Sequence, residues 1–311
     1  MPGLSTRAFV ASLLVAAFLA ALLAGCGGSS GSSATSFSGK LNVVAAEDFW
    51  GSIAEQLGGD QVEVTNIITN PAADPHDYEP TSEDARTMAG AQMAIVNGIG
   101  YDPWASKLIA ANPSSGRTVL TVGDLLGLKE GDNPHQWYSP APVQKVIEQI
   151  TTDYKQADPG HASYFDTQQH RFETVGLAKY HSLISQIRSR YAGTPVGASE
   201  SIFAALAPSL GLKLLTPTGF LDAVSEGTDP TPADKATTDS QIADRKIKAW
   251  VYNSQNATPD VQRLNDAAKA AGIPIATVTE TMTPEGASFQ AWQSRELEGL
   301  LAALARASEG G

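Results

Sequence analysis

Residues 41–69 read "LNVVAAEDFWGSIAEQLGGDQVEVTNIIT" and carry the pattern that decides the fold. Two runs rich in β-branched residues, LNVVAA (41–46) and VEVTNIIT (62–69), have the composition of strands, and the segment near 48–58 between them has helical spacing. A helix that connects two such strands indicates a β-α-β unit, in which both strands lie parallel in one sheet.

The same alternation continues to about residue 122 and resumes after residue 193. Further strands are predicted at 93–97, 118–122, 195–199, 212–216, 247–253 and 274–279. Further helices are predicted near 81–90, 102–111, 201–210, 231–244 and 258–271. The sequence therefore predicts an α/β fold with two lobes, residues 40–160 and 193–311, each a small parallel β-sheet flanked by helices.

Residues 161–192 have a different pattern, which predicts one long amphipathic helix between the lobes. Its apolar residues recur mostly at spacings of three, four or seven: Phe165, Phe172, Val175, Tyr180, Leu183, Ile184, Ile187 and Tyr191. Gly193 and Pro195 end the pattern. A helix of about thirty residues is roughly 45 Å long, so it is expected to bridge both lobes as a rigid strut.

The N-terminal residues 1–25 predict a signal peptide, with Arg7 ahead of an apolar run. That run is also long enough for an uncleaved membrane anchor. The sequence LLAGC, which ends at Cys26, resembles the bacterial lipobox and favours cleavage and lipidation at Cys26. The Gly/Ser-rich residues 26–39 then form a tether with a root-mean-square reach of roughly 20 Å. We expect the folded body to be extracytoplasmic and anchored to the cell membrane by lipid.

The net charge and the cysteine count exclude some classes of partner and some kinds of metal ligand. The formal net charge is −12, and removal of residues 1–25 takes away only Arg7 and makes it −13. Such a surface argues against nucleic acid or anionic lipid as the principal partner. Cys26 is the only cysteine, so a lipidated chain has neither a disulfide nor a thiolate ligand. Any metal site must use nitrogen and oxygen atoms.

Two histidines share a Pro-His-x-aromatic frame. His76 lies in "ADPHDYEPTSEDA" (73–85), after the second predicted strand, and His135 lies in "NPHQWYSP" (133–140), before a helix that starts near Pro142. Ligands of parallel α/β folds gather where loops leave the carboxyl ends of strands. A lone loop histidine is usually solvated, but the repeated frame predicts two metal ligands. Asp74, Asp77 or a backbone carbonyl could orient the His76 ring.

The remaining histidines are His161, His170 and His181, which have no ligand spacing. We expect them to be solvated along the linking helix.

The segments "ITNPAADPHDYEPTSEDA" and "GDNPHQWYSPAPVQ" resemble the first and second ligand loops of the metal-binding lipoproteins of ABC-type zinc and manganese importers. The resemblance covers essentially the whole mature chain. It implies two lobes bridged by a long helix, and two further ligands from the second lobe. The matching positions are Glu200, in "VGASESIF", and Glu280, in "ATVTETMTPEG".

Each acid has an alternative interpretation. Glu200 could instead be the N-terminal acid of a helix, and Glu280 could be a solvated loop residue, with Glu226, Asp229 and Glu285 as the fallback carboxylates. Glu280 also departs from the aspartate that the family usually has there.

Two imidazoles and two carboxylates suit one divalent transition-metal ion, with Mn²⁺ slightly favoured, Zn²⁺ next and Fe²⁺ possible. The resemblance implies a monomeric solute-binding protein that captures this ion between its lobes and delivers it to an ABC-type permease. A surface adhesin is the alternative, and a secreted metallohydrolase is a weaker one because the chain has no HExxH motif and a fourth protein ligand closes the metal shell. We expect a binding protein and not an enzyme.

Overall fold

The computed structural model describes residues 39–73, 75–256 and 258–309. The predicted signal peptide (1–25), Cys26 and most of the tether (26–39) lie outside these residues. Within them, no helix combines the length and the apolar character that a membrane crossing requires.

Two parallel four-stranded sheets form the framework, which confirms the predicted α/β fold with two lobes. The N-terminal lobe contains the strands β1 (Leu41–Glu47), β2 (Val62–Ile68), β3 (Met93–Val96) and β4 (Thr118–Thr121) in the order β2-β1-β3-β4. The C-terminal lobe contains β5 (Pro195–Ala198), β6 (Lys213–Leu214), β7 (Ala249–Asn253) and β8 (Ile275–Val278) in the order β6-β5-β7-β8. The two lobes therefore have the same topology.

Helices cover both faces of the sheets, as parallel sheets require. The α-helices of the first lobe are Asp48–Gly58, Ser82–Gly90, Pro103–Ala111, Val122–Leu126 and Pro140–Ala157. Those of the second are Ser201–Leu210, Thr218–Ser225, Pro232–Ala243, Pro259–Ala270 and Phe289–Glu309. Local signals set several starts: Thr81 and Asp84 form a capping box, and Thr231 and Thr258 accept a backbone N–H at their own helix starts.

The segment between the lobes differs from the single regular helix that we predicted. It consists of an α-helix Ala162–Arg171, a π-helical turn Phe172–Gly176 and a second α-helix Ala178–Tyr191. The Leu177 N–H donates to the Phe172 carbonyl at 2.8 Å, and the Phe172 ring packs where a Cβ on Gly176 would lie, 3.0 Å from the ring. The additional residue in this turn shifts the register, so Val175, predicted on the apolar face, is 70% exposed.

Contacts between the lobes extend beyond this segment. The C-terminal helix Phe289–Glu309 packs on the helix Ala178–Tyr191 and also contacts the helix Asp48–Gly58 of the N-terminal lobe. There the Phe289 N–H donates to the Ser52 hydroxyl at 3.0 Å. One apolar cluster includes residues of both sheets. The described part of the chain after the tether is thus one packed body, with the carboxyl ends of both sheets available to one site.

Candidate metal centre

The loop after β2 holds His76 by contacts of its neighbours. Trp104 donates its indole N–H to the Pro75 carbonyl at 3.2 Å, and the Tyr78 ring packs on Trp104 with centroids 4.9 Å apart. The His76 ring lies edge-on to Tyr101 at 4.8 Å. The imidazole is therefore positioned by aromatic packing on both sides of its loop. Asp74, one of the predicted partners of the ring, lies outside the described residues.

His135 is 1% exposed and is oriented through both ring nitrogens. Its Nδ1 lies 2.8 Å from Asn133 Oδ1, and its Nε2 lies 3.1 Å from Glu280 Oε1. The Asn133 amide in turn donates to the Ser201 carbonyl of the C-terminal lobe at 2.7 Å. An acceptor at Nδ1 fixes the proton there and leaves Nε2 to face a cation, which is the arrangement that metal-bound histidines usually have.

Glu280 follows β8 and is largely buried. Burial opposes ionisation of its carboxyl, but the nearby His135 charge and hydrogen bond, the His76 charge and a hydrogen bond from Tyr101 outweigh burial, so the pKa of Glu280 lies below its usual value. The lowered pKa favours the ionised carboxylate of Glu280, which lies beside both His76 and His135.

The donor atoms of His76, His135 and Glu280 all lie within 4.8 Å of one another. In residues 39–73, 75–256 and 258–309 no other group of three or more histidine, cysteine, aspartate or glutamate residues meets this distance. Tetrahedral ligands about 2.0–2.1 Å from a metal are roughly 3.3 Å apart, so a small contraction would form the shell. The two histidines come from the first lobe and the glutamate from the second.

Glu200 is 2% exposed and lies at the start of the helix Ser201–Leu210, outside this group of three. Its Oε2 accepts a hydrogen bond from Asn253 Nδ2 at 3.0 Å, and the same Nδ2 is 3.5 Å from Glu280 Oε2. Asn253, the last residue of β7, therefore lies between the two carboxylates. It links Glu200 to the three-residue group without completing a four-ligand shell.

A cavity of about 670 Å³ opens beside these residues, and its lining includes His76, Asp77, Glu200, Glu226, Asn253 and Glu280. In the described part of the chain, no lysine or arginine lines it. Acidic walls of low dielectric raise the local concentration of cations.

The other fallback acids lie elsewhere. Asp229 is almost fully exposed and pairs with Lys235, and Glu285 lines a separate cavity. His161, His170 and His181 are exposed, as expected, and His161 pairs with Asp158 at 2.6 Å.

Sequence reasoning missed the turn that presents Tyr101 to both histidines. Gly98, Ile99 and Gly100 have positive φ values of 70°, 61° and 82°, which costs roughly 1–3 kcal/mol at Ile99. Asp102 stabilises this turn by accepting the N–H groups of Asn97 at 2.8 Å and Gly98 at 2.7 Å. The signal was present in the glycines on either side of Ile99, directly after a strand.

A fully buried acid lies behind that turn. Glu47 ends β1, and burial, followed by the charge of Asp102, raises the pKa of its carboxyl well above the ordinary value. Burial also raises the pKa of Asp102, although its backbone donors and Glu47 oppose this. The raised pKa of Glu47 favours its protonated form beside Asp102.

Comparison with known proteins identifies the family and the fold of this chain. Residues 43–303 match the family model described as "Zinc-uptake complex component A periplasmic". The iron-binding protein YfeA of Yersinia pestis is 30% identical over 185 residues, which are 56% of this chain and 58% of that protein. The manganese ABC transporter substrate-binding lipoprotein PsaA of Streptococcus pneumoniae is 24% identical over 309 residues, 92% of this chain and 94% of the relative. The manganese-binding lipoprotein MntA of Halalkalibacterium halodurans is 31% identical over 153 residues.

The match therefore spans 58% of the length of YfeA and 49% of MntA, but nearly all of the pneumococcal relative. Among solved structures, the Mn-bound S38A mutant of a periplasmic metal-binding protein from Candidatus Liberibacter asiaticus has a TM-score of 0.73 at 20% identity. It covers 85% of this chain and 100% of that one, and shows that the fold is shared. The predicted resemblance to metal-binding lipoproteins of ABC importers is confirmed, and the chain belongs to the periplasmic zinc-uptake complex component A family.

Proposed function

We propose that this protein is the extracytoplasmic solute-binding component of an ABC importer, which captures one divalent transition-metal ion between its lobes and delivers it to a membrane permease. The observation that carries the proposal is the convergence of His76 and His135 from one lobe with Glu280 from the other, within 4.8 Å. Because the donors come from both lobes, binding of the ion and the relative position of the lobes are coupled.

Glu200 is the fourth ligand in this proposal. Its carboxylate would exchange the hydrogen bond from Asn253 for the ion, and the positive charge would compensate the approach of two carboxylates. Four protein ligands close a tetrahedral shell and leave no open position for a substrate, whereas catalytic zinc sites keep one. The donor set therefore favours a carrier over a metallohydrolase.

The donor chemistry restricts the ion. Imidazole nitrogen together with carboxylate oxygen suits Mn²⁺, Fe²⁺ and Zn²⁺, whereas Ca²⁺ and Mg²⁺ prefer shells of oxygen alone. We favour Mn²⁺ slightly, because two carboxylates give a harder site than three imidazoles would. Zn²⁺ binds most nitrogen–oxygen sites more tightly than Mn²⁺, so availability outside the cell also determines which ion is carried.

Localisation completes the proposal. Lipidation of Cys26 would anchor the chain, and residues 26–39 would let the body move beside the membrane within roughly 20 Å of the anchor. We expect the wild type to take up the label of a palmitate analogue and Cys26→Ala to lose it, without any change in metal binding. Equal labelling of the two proteins would contradict lipidation at Cys26.

Metal content tests the function directly. Protein isolated from its own host without added metal should contain close to one equivalent of Mn, Zn or Fe by elemental analysis. His76→Ala should contain much less, while His170→Ala, at an exposed histidine, should match the wild type. A wild type without transition metal, or a His76→Ala protein with unchanged content, would contradict the proposal.

A further inference from the structure

A buried hydrogen-bonded cluster joins the lobes directly behind His135 and Glu280. Tyr138, three residues after His135, is fully buried and belongs to the N-terminal lobe. Its hydroxyl donates to the Thr279 carbonyl at 2.7 Å, and Thr279 immediately precedes Glu280. The same hydroxyl oxygen lies 2.6 Å from Glu296 Oε2, on the C-terminal helix. One phenolic oxygen thus connects the loop of one candidate ligand to the backbone beside the other.

Glu296 has further partners in the C-terminal lobe. Its Oε1 accepts the Thr279 hydroxyl at 2.8 Å and the Trp292 indole N–H at 2.8 Å. Among the described residues, no lysine, arginine or histidine forms an ion pair with it. The glutamate is held by neutral donors, which is an expensive environment for a buried carboxylate.

Counting protons assigns the direction of each bond. Tyr138 has one hydroxyl hydrogen, and donation to the Thr279 carbonyl uses it. The 2.6 Å contact then needs its proton from Glu296, so Glu296 Oε2–H donates to the Tyr138 oxygen while Oε1 accepts from Thr279 and Trp292. Burial raises the pKa of Glu296 to about 7, against the lowering effect of its hydrogen bonds, so the acid holds this proton below about pH 7. In this state each hydroxyl, indole and carboxyl hydrogen of the cluster has an acceptor.

We propose that Tyr138 and Glu296 are positioning residues that set the distance between His135 and Glu280, the candidate ligands from opposite lobes. His135 Nε2 and Glu280 Oε1 are 3.1 Å apart, and the cluster fixes the backbone on both sides of that gap. Neither residue is a proposed ligand. They hold the two lobes in the binding arrangement before the ion arrives, which lowers the free-energy cost of binding. The inference rests on the proposed function, because the ion is the readout.

The alternative is that the cluster contributes only to folding, and Tyr154 provides a matched control. Tyr154 is also fully buried, and its hydroxyl donates to the Ala54 carbonyl at 3.0 Å. Both of these residues lie in helices of the N-terminal lobe, so this bond does not connect the lobes. Tyr154→Phe therefore removes one buried hydroxyl bond of the same kind without affecting the relative position of His135 and Glu280.

The experiment compares Mn²⁺ and Zn²⁺ affinity, by titration against a competing chelator, with the thermal unfolding of the metal-free protein. We expect Tyr138→Phe to weaken affinity about 10–100-fold, the usual cost of losing an outer partner of a metal site. Tyr154→Phe should bind metal with an affinity within about twofold of the wild type, even if it lowers the Tm as much as Tyr138→Phe does. Equal affinities of the two variants at comparable Tm would show a purely structural role and overturn the inference, while leaving the proposed function intact.

Glu296 supplies a second, independent comparison that also serves if Tyr138→Phe does not fold. A glutamine amide can donate to the Tyr138 oxygen and accept from Thr279 and Trp292, as the protonated acid does, so Glu296→Gln should retain affinity. A leucine side chain has a similar volume but can neither donate nor accept a hydrogen bond, so Glu296→Leu should weaken metal affinity about 10–100-fold. If Glu296→Gln lost as much metal affinity as Glu296→Leu, the assignment of a proton to Glu296 would be wrong. A wild type that binds neither ion would overturn the proposed function itself.

Discussion

The two lobes place equivalent residues at the ends of their strands and use them differently. Ala45 pairs with Ile95 in the first sheet, and Ala198 pairs with Val251 in the second. Two residues further on, Glu47 matches Glu200. Both glutamates are buried, have extended backbone and immediately precede a helix. The topology therefore delivers an acid to the same point in each lobe.

What surrounds each acid decides its use. Glu47 is fully buried, has a pKa raised by burial and by the charge of Asp102, and does not line the 670 Å³ cavity. Glu200 lines the cavity and accepts a hydrogen bond from the Asn253 amide. The equivalent of Asn253 is Asn97, which accepts the Trp50 indole N–H at 3.0 Å and donates to the Pro134 carbonyl at 3.1 Å. In the first lobe the buried strand ends support the structure and loops carry the candidate ligands His76 and His135, whereas in the second lobe the candidate acids follow directly after strands.

Removal of a loop histidine should have the largest effect. If the four proposed ligands share roughly 10–16 kcal/mol of metal affinity equally, each supplies about 2.5–4 kcal/mol, so His135→Ala should weaken Mn²⁺ or Zn²⁺ binding roughly 70- to 1,000-fold. His181→Ala, at an exposed position, is the control and should bind like the wild type. Calorimetric titration of both variants measures the difference, and similar affinities would rule out His135 as a ligand.

The free energy of unfolding should depend on pH through Glu296, the buried acid of the cluster that joins the lobes. The pKa of Glu296 is raised by burial to about 7 from 4.5, so the folded protein holds a proton that the unfolded chain releases between these values. The contribution of Glu296 to the free energy of unfolding is therefore fully present below about pH 4.5 and is lost as the pH rises through about 7.

From pH 5 to pH 8 the loss amounts to about 2–3 kcal/mol. Glu296→Gln should lose correspondingly less of its unfolding free energy over that interval, as measured by urea unfolding. Parallel curves for the two proteins would show that Glu296 is ionised in the folded state throughout.

The equivalent glutamates give the sharpest test of the comparison. Glu200→Gln removes a proposed anionic ligand and should weaken metal affinity about 10–100-fold. Glu47→Gln replaces an acid whose raised pKa favours the protonated form and which does not line the cavity, so affinity should remain within a few-fold of the wild type. Competitive chelator titration of both proteins checks the ratio. An equal loss in both variants, or none in Glu200→Gln, would mean that the two positions do not differ in function.

A smaller effect is expected from the turn behind the histidines. Asp102→Asn replaces one of the two oxygens that accept the Asn97 and Gly98 N–H groups with an amide donor, and should cost about 1–2 kcal/mol of unfolding free energy. The matched exposed change, Asp229→Asn, should stay within about 0.5 kcal/mol. Urea unfolding distinguishes the two. Equal stability would show that Asp102 does not support the left-handed turn.

The fold was largely predictable because strands and helices in this chain have clear periodicity. Each predicted strand is present, with ends shifted slightly, and the parallel arrangement follows from the helices between them. The π-helical turn Phe172–Gly176 was not predicted, because the apolar spacing through this segment is that of a regular helix. The helix Phe289–Glu309, which carries Glu296, was also missed, although it contacts both lobes.

The candidate site was predictable only in part. His76 and His135 came from a repeated local frame, and Glu200 and Glu280 from the resemblance to a known family. Their partners were not found, because they meet through tertiary contacts: Tyr138 and Thr279 are separated by 141 positions in the chain. Asn253, between two acids, likewise has no local signature.

The most direct test is the anomalous diffraction of crystals of this protein grown with Mn²⁺ and separately with Zn²⁺. The account predicts one dominant peak between the lobes, with ligand atoms from His76, His135, Glu280 and Glu200 and with Glu200 released from Asn253. A metal held by other residues, or no metal where the two histidines and Glu280 meet, would contradict it.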